Sequence, residues 1–345
     1  MTAVRIRAHG GPEVLETVRG PVPVPEAEEV LVEVRAAALN DTGLWPRQGS
    51  CGTPGDPDAL AGWRGPVGFP RIRGADVAGV VVSAGTELVG RRVVLDPAID
   101  DAETPDANPA GLMGSERDGG YAEYVTAPAR RVHDVADSPL SDVRLAALPT
   151  AYGTAPGMTR ARRGPRGRHR RGDRCLGGVG PALAQLARAR GARVLAVGSG
   201  STLEAVRRAG AHEVLDRAHC VVEQTRTAAP DGVDAVLDVV AEDLVAEGLS
   251  LLREGAGGSP PALSADTPSR PTCAALASNA RIIGSSMHTP AHVDLPADIA
   301  CRAPVRPATA RTHPLDQALR AQEELGRRRR VGRTVLLPRA AASRP

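Results

Sequence analysis

A glycine-rich turn, Gly177-Gly178-Val179-Gly180, leads into the amphipathic stretch Pro181–Arg190, which stops at Gly191 and is followed by the apolar run Arg193–Val197. Turn, helix and strand in that order make half of a β-α-β unit, and the alternation continues to Gly284. Helical spacing covers Ser201–Ala209, Cys220–Ala229 and Leu244–Arg253, and short apolar runs at Val214-Leu215, Val233–Val240 and Arg281–Gly284 read as strands. Strands joined by helices run parallel, and apolar runs of this kind suit strands covered on both faces. From Ser138 onward the chain therefore predicts an α/β fold with a doubly wound parallel sheet. A helix over Leu315–Leu325 and a strand over Val331–Leu337 close the pattern.

The first third reads differently. Val4–Ile6, Val30–Val34, Val77–Val82, Arg91–Leu95 and Tyr121–Val125 are short strands, separated by turn residues such as Gly10-Gly11-Pro12 and Pro21–Pro25. Glu28–Val34 alternates polar and apolar residues as a half-buried strand does. Asp41–Pro70 and Asp96–Gly120 are rich in Gly and Pro and read as loops. Many short strands with such turns suggest a small barrel. A chain of 345 residues has room for two such domains.

Composition removes several function classes. No apolar run reaches the ~18 residues of a membrane span. The start, Met1 to Gly11, lacks a secretory apolar core, and the five cysteines lie far apart with no Cys-x-x-Cys pair. A cytoplasmic location, with neither a disulfide framework nor a clustered structural zinc, is expected. All 43 basic residues are arginine and aromatics are 2%, as in a protein from a GC-rich gene. Eight of the arginines, against the single acid Asp173, fall between Thr159 and Leu176. The rest of the chain is slightly acidic. A nucleic-acid role would rest on that one patch, and it lacks the interleaved aromatics that stack on bases.

The glycine turn has its own chemistry. Backbone N–H groups at a helix start can approach a pyrophosphate, and the helix dipole assists. Gly177, Gly178, Val179 and Gly180 are thus candidate dinucleotide-binding residues, a plain glycine turn being the alternative. An NAD-selective site usually follows its second strand with an acid for the ribose hydroxyls. Here the strand ends in Gly198-Ser199-Gly200-Ser201. Small residues such as Ser199 leave room for a 2′-phosphate, and Arg207, Arg208 or Arg217 could meet its charge, unless they are ordinary exposed arginines. NADPH is favoured over NADH.

The segments HGGPEVLETV, EEVLVEVRAAALNDTG, FPRIRGADVAGVVVSAG, GSERDGGYAEYVTAPA, AALPTAYGTA, GGVGPALAQLARARGARVLAV and VDAVLDVV, with VGRTVLLP near the end, run in a familiar order. The chain resembles the medium-chain dehydrogenase/reductase superfamily, in its zinc-independent quinone oxidoreductase-like branch. The resemblance implies a GroES-like β-barrel domain (1–135 and 305–338) carrying the substrate site. A Rossmann dinucleotide-binding domain (136–304) is inserted in it, and a disordered tail (339–345) follows. It implies hydride transfer from NADPH to a quinone, an enone or a related carbonyl, with a small-molecule substrate, no nucleic-acid or membrane partner, and a homodimer left open.

Zinc-containing relatives carry an early Cys and a Gly-His-Glu. This chain has Asn40 and Asp41 near the first place and Gly74-Ala75-Asp76 at the second, so no metal is expected. Without metal, the protein's task is orientation and polarisation of the carbonyl. Asn40 matches the family's asparagine near the nicotinamide and could donate an amide hydrogen bond, or could close an Asx turn. Thr154 matches a threonine that approaches the cofactor, or caps a helix. Thr202 stands where relatives often carry a lysine for the 2′-phosphate. Arg333 matches a cationic residue near the cofactor. Tyr152, Trp45 and Trp63 could line the substrate pocket or simply pack. His133, His212 and His288 form no triad.

Two stretches depart from the family. Before the glycine turn, where a buried strand belongs, the chain reads Arg171-Gly172-Asp173-Arg174-Cys175-Leu176. Arginines suit no strand buried on both faces, so a loop or irregular segment is expected across Thr159–Leu176. A one-base shift of reading frame permits Thr-Val-Val-Val in place of His169–Gly172, followed by Thr-Gly-Ala-Ser, which is the missing strand and turn. After Glu254 a second strand is missing, and another shift permits Ala-Gly-Ala-Leu over Pro260–Leu263. Three readings follow: a zinc-free NADPH-dependent reductase, a zinc-free alcohol dehydrogenase-like reductase, or a decayed relative with weak or absent dinucleotide binding.

Overall fold

The structure is a computed structural model and describes residues 1–40, 47, 67–83, 87–100, 109–160, 169–172, 178–239, 244–253, 262–265, 281–284, 295–302, 305–327 and 331–338. Contacts divide the chain into two units. One comprises Met1–Gly153, His288–Arg328 and Arg333–Pro345, and the other Thr154–Met287 and Arg329–Gly332.

The first unit opens with β1 (Thr2–Ile6), β2 (Leu15–Arg19), β3 (Glu29–Ala38), β4 (Arg71–Ile72), β5 (Asp76–Ser83) and β6 (Arg92–Leu95). Then come β7 (Ala98–Asp100), β8 (Pro109–Leu112), β9 (Tyr124–Pro128) and β10 (Val132–Asp134), before helices α1 (Asp142–Ala146) and α2 (Pro149–Arg160), the latter passing into the second unit at Thr154. The second unit contains β11 (His169–Gly172), α3 (Val179–Ala189), β12 (Arg193–Gly198), α4 (Leu203–Arg208), β13 (Glu213–Asp216) and α5 (Val221–Ala228). It continues with β14 (Ala235–Asp238), α6 (Leu244–Ser250), β15 (Ala262–Ala265) and β16 (Arg281–Gly284). The chain returns to the first unit with α7 (Leu295–Arg302), β17 (Thr309–Pro314), α8 (Ala318–Gly326) and β18 (Arg333–Leu337).

In the first unit the large sheet runs β10-β6-β5-β3-β18-β17, with β9 also on β3, and a smaller sheet runs β2-β1-β4. The alternation of β3 has a direct consequence. Val30, Val32 and Val34 meet Val77, Val81, Val93 and Leu95 in one buried cluster. Each such side chain contributes about 1.5–3 kcal/mol by leaving water. The polar stretch after Asp96 is not all loop: β7 and β8 pair antiparallel within it, with Ala98 opposite Leu112, both buried.

The second unit is a six-stranded sheet in the order β13-β12-β11-β14-β15-β16, with every ladder parallel. This is the doubly wound order, reversing direction at its first strand. β12 shows why the helices lie on both faces. Val194 and Ala196 join a cluster with Ala184, Ala187 and Val206 of α3 and α4. Their neighbours Leu195 and Val197 join a different cluster with Leu249 and Val236. A strand with period two and apolar residues on both sides needs two covers.

Two expectations about this sheet are overturned. His169–Gly172, expected within an irregular segment, is the central strand, with Arg170 opposite both Val194 and Ala235. The missing strand after Glu254 is also present, as Ala262–Ala265 between β14 and β16. The physical reason is the same in both places. Ladder hydrogen bonds use backbone groups that every residue but proline carries, and an open edge between two paired strands leaves those groups unsatisfied. Topology thus recruits the one segment able to fill each gap, whatever its side chains.

Candidate functional site

Asp76, the first residue of β5, is wholly buried. A carboxylate alone in that position would be costly, and three donors offset it. The Thr150 backbone N–H at the start of α2 donates to Oδ1 at 2.6 Å. The guanidinium of Arg333, the first residue of β18, pairs with Oδ2. The Asn40 side-chain amide donates to the same Oδ2 at 3.4 Å. Asn40 is two residues past the end of β3, where Leu39 N–H bonds the Thr334 carbonyl at 2.8 Å. Three strand and helix ends thus converge on one carboxylate.

The structure therefore brings Asn40 and Arg333 together through a residue considered from sequence only as the neighbour of a lost metal ligand. Arg333 holds its cation against Asp76, with a side chain 6% exposed. Asp76 could have been flagged by one signal: an acid heading the apolar run Val77–Val82 must find a partner once the strand is buried. Ala75, where zinc relatives have a ligand, is buried and apolar. Among the described residues no group of three or more His, Cys, Asp or Glu is arranged to hold a metal.

Helix α2 carries the next candidates. Thr154 is its sixth residue, so a capping role is excluded, and its side chain is buried. Tyr152 is 2% exposed, and its hydroxyl has no hydrogen-bond partner among the described residues. Burial pushes that phenol well above its ordinary value. The hydroxyl of Thr150 is also buried without a partner there. Trp45, Trp63 and His288 lie outside the described residues.

The second unit holds the dinucleotide candidates. Helix α3 begins two residues earlier than its sequence pattern suggested. Gly178 is its N-cap, with no side chain capping the helix, and Val179 and Gly180 form its first turn. N–H groups in that position suit a pyrophosphate. Gly177 lies outside the described residues. After β12, Ser199 to Thr202 form a closed turn. Thr202 Oγ1 accepts the Ser199 N–H at 3.1 Å and donates to the Ser199 carbonyl at 2.6 Å. Thr202 is buried, and its hydroxyl shapes the turn. Gly200 takes the left-handed conformation, with φ +46°.

Arg217 follows β13, and its N–H donates to the Gly198 carbonyl at 2.9 Å. That bond places the Arg217 backbone beside the last residue of β12, on the carboxyl edge of the sheet. Arg207 instead pairs with Glu204 at 3.1 Å on the exposed face of α4, and Arg208 is exposed. Of the other histidines, His133 lies on the β10 edge strand, and His212 Nδ1 accepts the Val194 N–H at 3.0 Å. Neither joins a triad.

Known proteins share this architecture. The family described as alcohol dehydrogenase GroES-like domain matches residues 26–137, and the family described as zinc-binding dehydrogenase matches 178–300. Quinone oxidoreductase of Lama guanicoe is 30% identical over 262 residues, 74% of this chain and 71% of that protein. This chain is a member of the medium-chain dehydrogenase/reductase superfamily, in its quinone oxidoreductase-like branch. Other members of the superfamily extend the likeness. Quinone oxidoreductase of Mus musculus is 29% identical over 266 residues, again 74% of this chain and 71% of that one. A solved structure of an alcohol dehydrogenase candidate from Sinorhizobium meliloti 1021 superposes with a TM-score of 0.89 at 32% identity, covering 98% of this chain and 97% of its own. As a superfamily member the chain belongs to an enzyme family of NAD(P)-dependent oxidoreductases acting on small molecules, with a GroES-like and a Rossmann domain. Among the described residues no helix is long and apolar enough to cross a membrane.

Proposed function

We propose that the protein is a zinc-free, NADPH-dependent reductase that transfers a hydride to a quinone, an enone or a related carbonyl. The observation that carries the cofactor choice is the turn after β12. It holds Ser199, Gly200, Ser201 and Thr202, with no carboxylate to repel a 2′-phosphate, and Arg217 is tied beside it. The zinc-free reading is supported by Ala75 and Asn40, which stand where zinc-containing relatives keep ligands. The quinone-like substrate class is supported by the curated relatives, whose names specify quinone oxidoreductases.

NADPH, when bound, supplies the hydride. The uncapped start of α3 would meet the pyrophosphate with the N–H groups of Val179 and Gly180. The guanidinium of Arg217 and the hydroxyl of Ser201 would hold the 2′-phosphate through charge-assisted hydrogen bonds. In the first unit the Asn40 amide would donate to the substrate oxygen as negative charge develops on it. Tyr152 would line that side, and Thr154 would approach the cofactor.

The test is a pair of titrations on protein of this sequence. NADPH should bind more tightly than NADH, followed by turnover of a simple quinone in metal-free buffer. Equal or tighter NADH binding overturns the cofactor choice, and one zinc per chain by elemental analysis overturns the zinc-free reading. A second reading has one specific observation behind it: the central strand of the cofactor-binding sheet reads His-Arg-Arg-Gly. On that reading the chain is a decayed relative. Failure to bind either dinucleotide below millimolar concentration would establish it.

A further inference from the structure

We propose that Asp76 is a positioning residue for the reduction, which orients the Asn40 amide and is itself kept ionised in the interior by Arg333. The inference rests on the reading of Asn40 as the group that meets the substrate oxygen.

An asparagine amide has a donor end and an acceptor end of nearly equal shape, and a half-turn about its last bond exchanges them. Catalysis as proposed needs the N–H end at the substrate oxygen, since a carbonyl there would repel the developing charge. A carboxylate accepts hydrogen bonds and offers none. Asp76 therefore admits only the Nδ2 end of Asn40. A neutral amide at position 76 would admit either end.

The surroundings suit that task. Ala38 lies opposite Asp76 in the β3–β5 ladder, so the backbone leading to Asn40 is fixed against the strand that carries the acid. The Thr150 N–H occupies Oδ1 at 2.6 Å, leaving Oδ2 to Asn40 and Arg333. The Arg333 guanidinium compensates the charge at a site where Asp76 is 0% exposed. Removing the acid alone would strand a buried cation, so the variant that tests orientation needs a partner variant that tests folding.

The experiment uses the full chain with NADPH and p-benzoquinone. In Asp76→Asn, kcat at saturating NADPH should fall by about 10²-fold, the scale of a misplaced catalytic group. The NADPH Kd should move less than tenfold. In ¹⁵N spectra, the Asn40 side-chain amide resonances should shift from their positions in the unaltered chain. If Asp76→Asn does not fold, Asp76→Asn with Arg333→Met, which removes both charges, takes its place with the same expected loss of kcat. A folded variant with unaltered kcat, or an unchanged Asn40 amide signal, overturns the positioning role. A parent chain that reduces no quinone overturns the functional reading instead, and the inference with it.

Discussion

The backbone N–H of Arg217 bonds to the carbonyl of Gly198 at 2.9 Å, joining the carboxyl ends of two neighbouring parallel strands. Because Gly198 is also the last residue of β12, the bond holds the Arg217 backbone at the strand end from which the next turn departs. Arg217→Gln should therefore weaken NADPH binding by about 1.5–3 kcal/mol, which is tenfold or more, while leaving NADH binding within a factor of two. Parallel titrations of both dinucleotides check this, and equal losses for the two would show that Arg217 acts on the fold.

The central strand should be the weakest element of the sheet. Replacing His169–Gly172 by Thr-Val-Val-Val puts apolar side chains where a parallel sheet buries both faces. Each buried valine contributes about 1.5 kcal/mol or more, so the denaturation midpoint should rise clearly. An unchanged or lower midpoint would show that the arginines are accommodated without cost. The nucleotide sequence across codons 155–280 tests the accompanying frame-shift reading directly, since an intact frame there removes it.

Tyr152 offers a prediction of opposite sign to most core substitutions. Its hydroxyl is buried without a partner among the described residues, and an unsatisfied buried hydroxyl is a cost. Tyr152→Phe should leave stability unchanged or raise it by about 1 kcal/mol in chemical denaturation. A loss of about 2 kcal/mol would reveal a hydrogen bond to that oxygen.

His212 predicts a pH dependence. Burial, then Arg188 and Arg193, hold its pKa below the ordinary histidine value. The unfolded chain therefore binds this proton more readily than the folded one, and folding is favoured above the unfolded pKa of 6.5. As pH falls through 6.5 toward the depressed folded value, that contribution is lost, because protonated Nδ1 can no longer accept the Val194 N–H. His212→Asn should flatten this part of the stability profile between pH 7 and pH 5. A profile identical to that of the parent chain would show that His212 does not contribute.

How much was legible depended on the range of the interactions involved. The apolar period of Val30–Val34, the helix over Pro181–Arg190 and the strand Arg193–Val197 are written in neighbouring residues, because backbone geometry repeats every two or 3.6 positions. The parallel sense of the sheet follows from them, since strands joined by helices run parallel and cross over with one hand. The candidates Asn40, Arg333 and Arg217 were also visible one at a time, from residue type and place in a motif.

What sequence alone did not determine was who partners whom. Asp76 takes donors from positions 36, 74 and 257 residues away, and no periodicity spans such distances. Only the folded sheets bring the ends of β3, α2 and β18 to one carboxylate. The same holds for His169–Gly172, whose side chains argue against a central strand. Side-chain chemistry acts residue by residue. The unpaired edges of β12 and β14 act on the backbone of whatever segment lies between them, and there the tertiary structure decided.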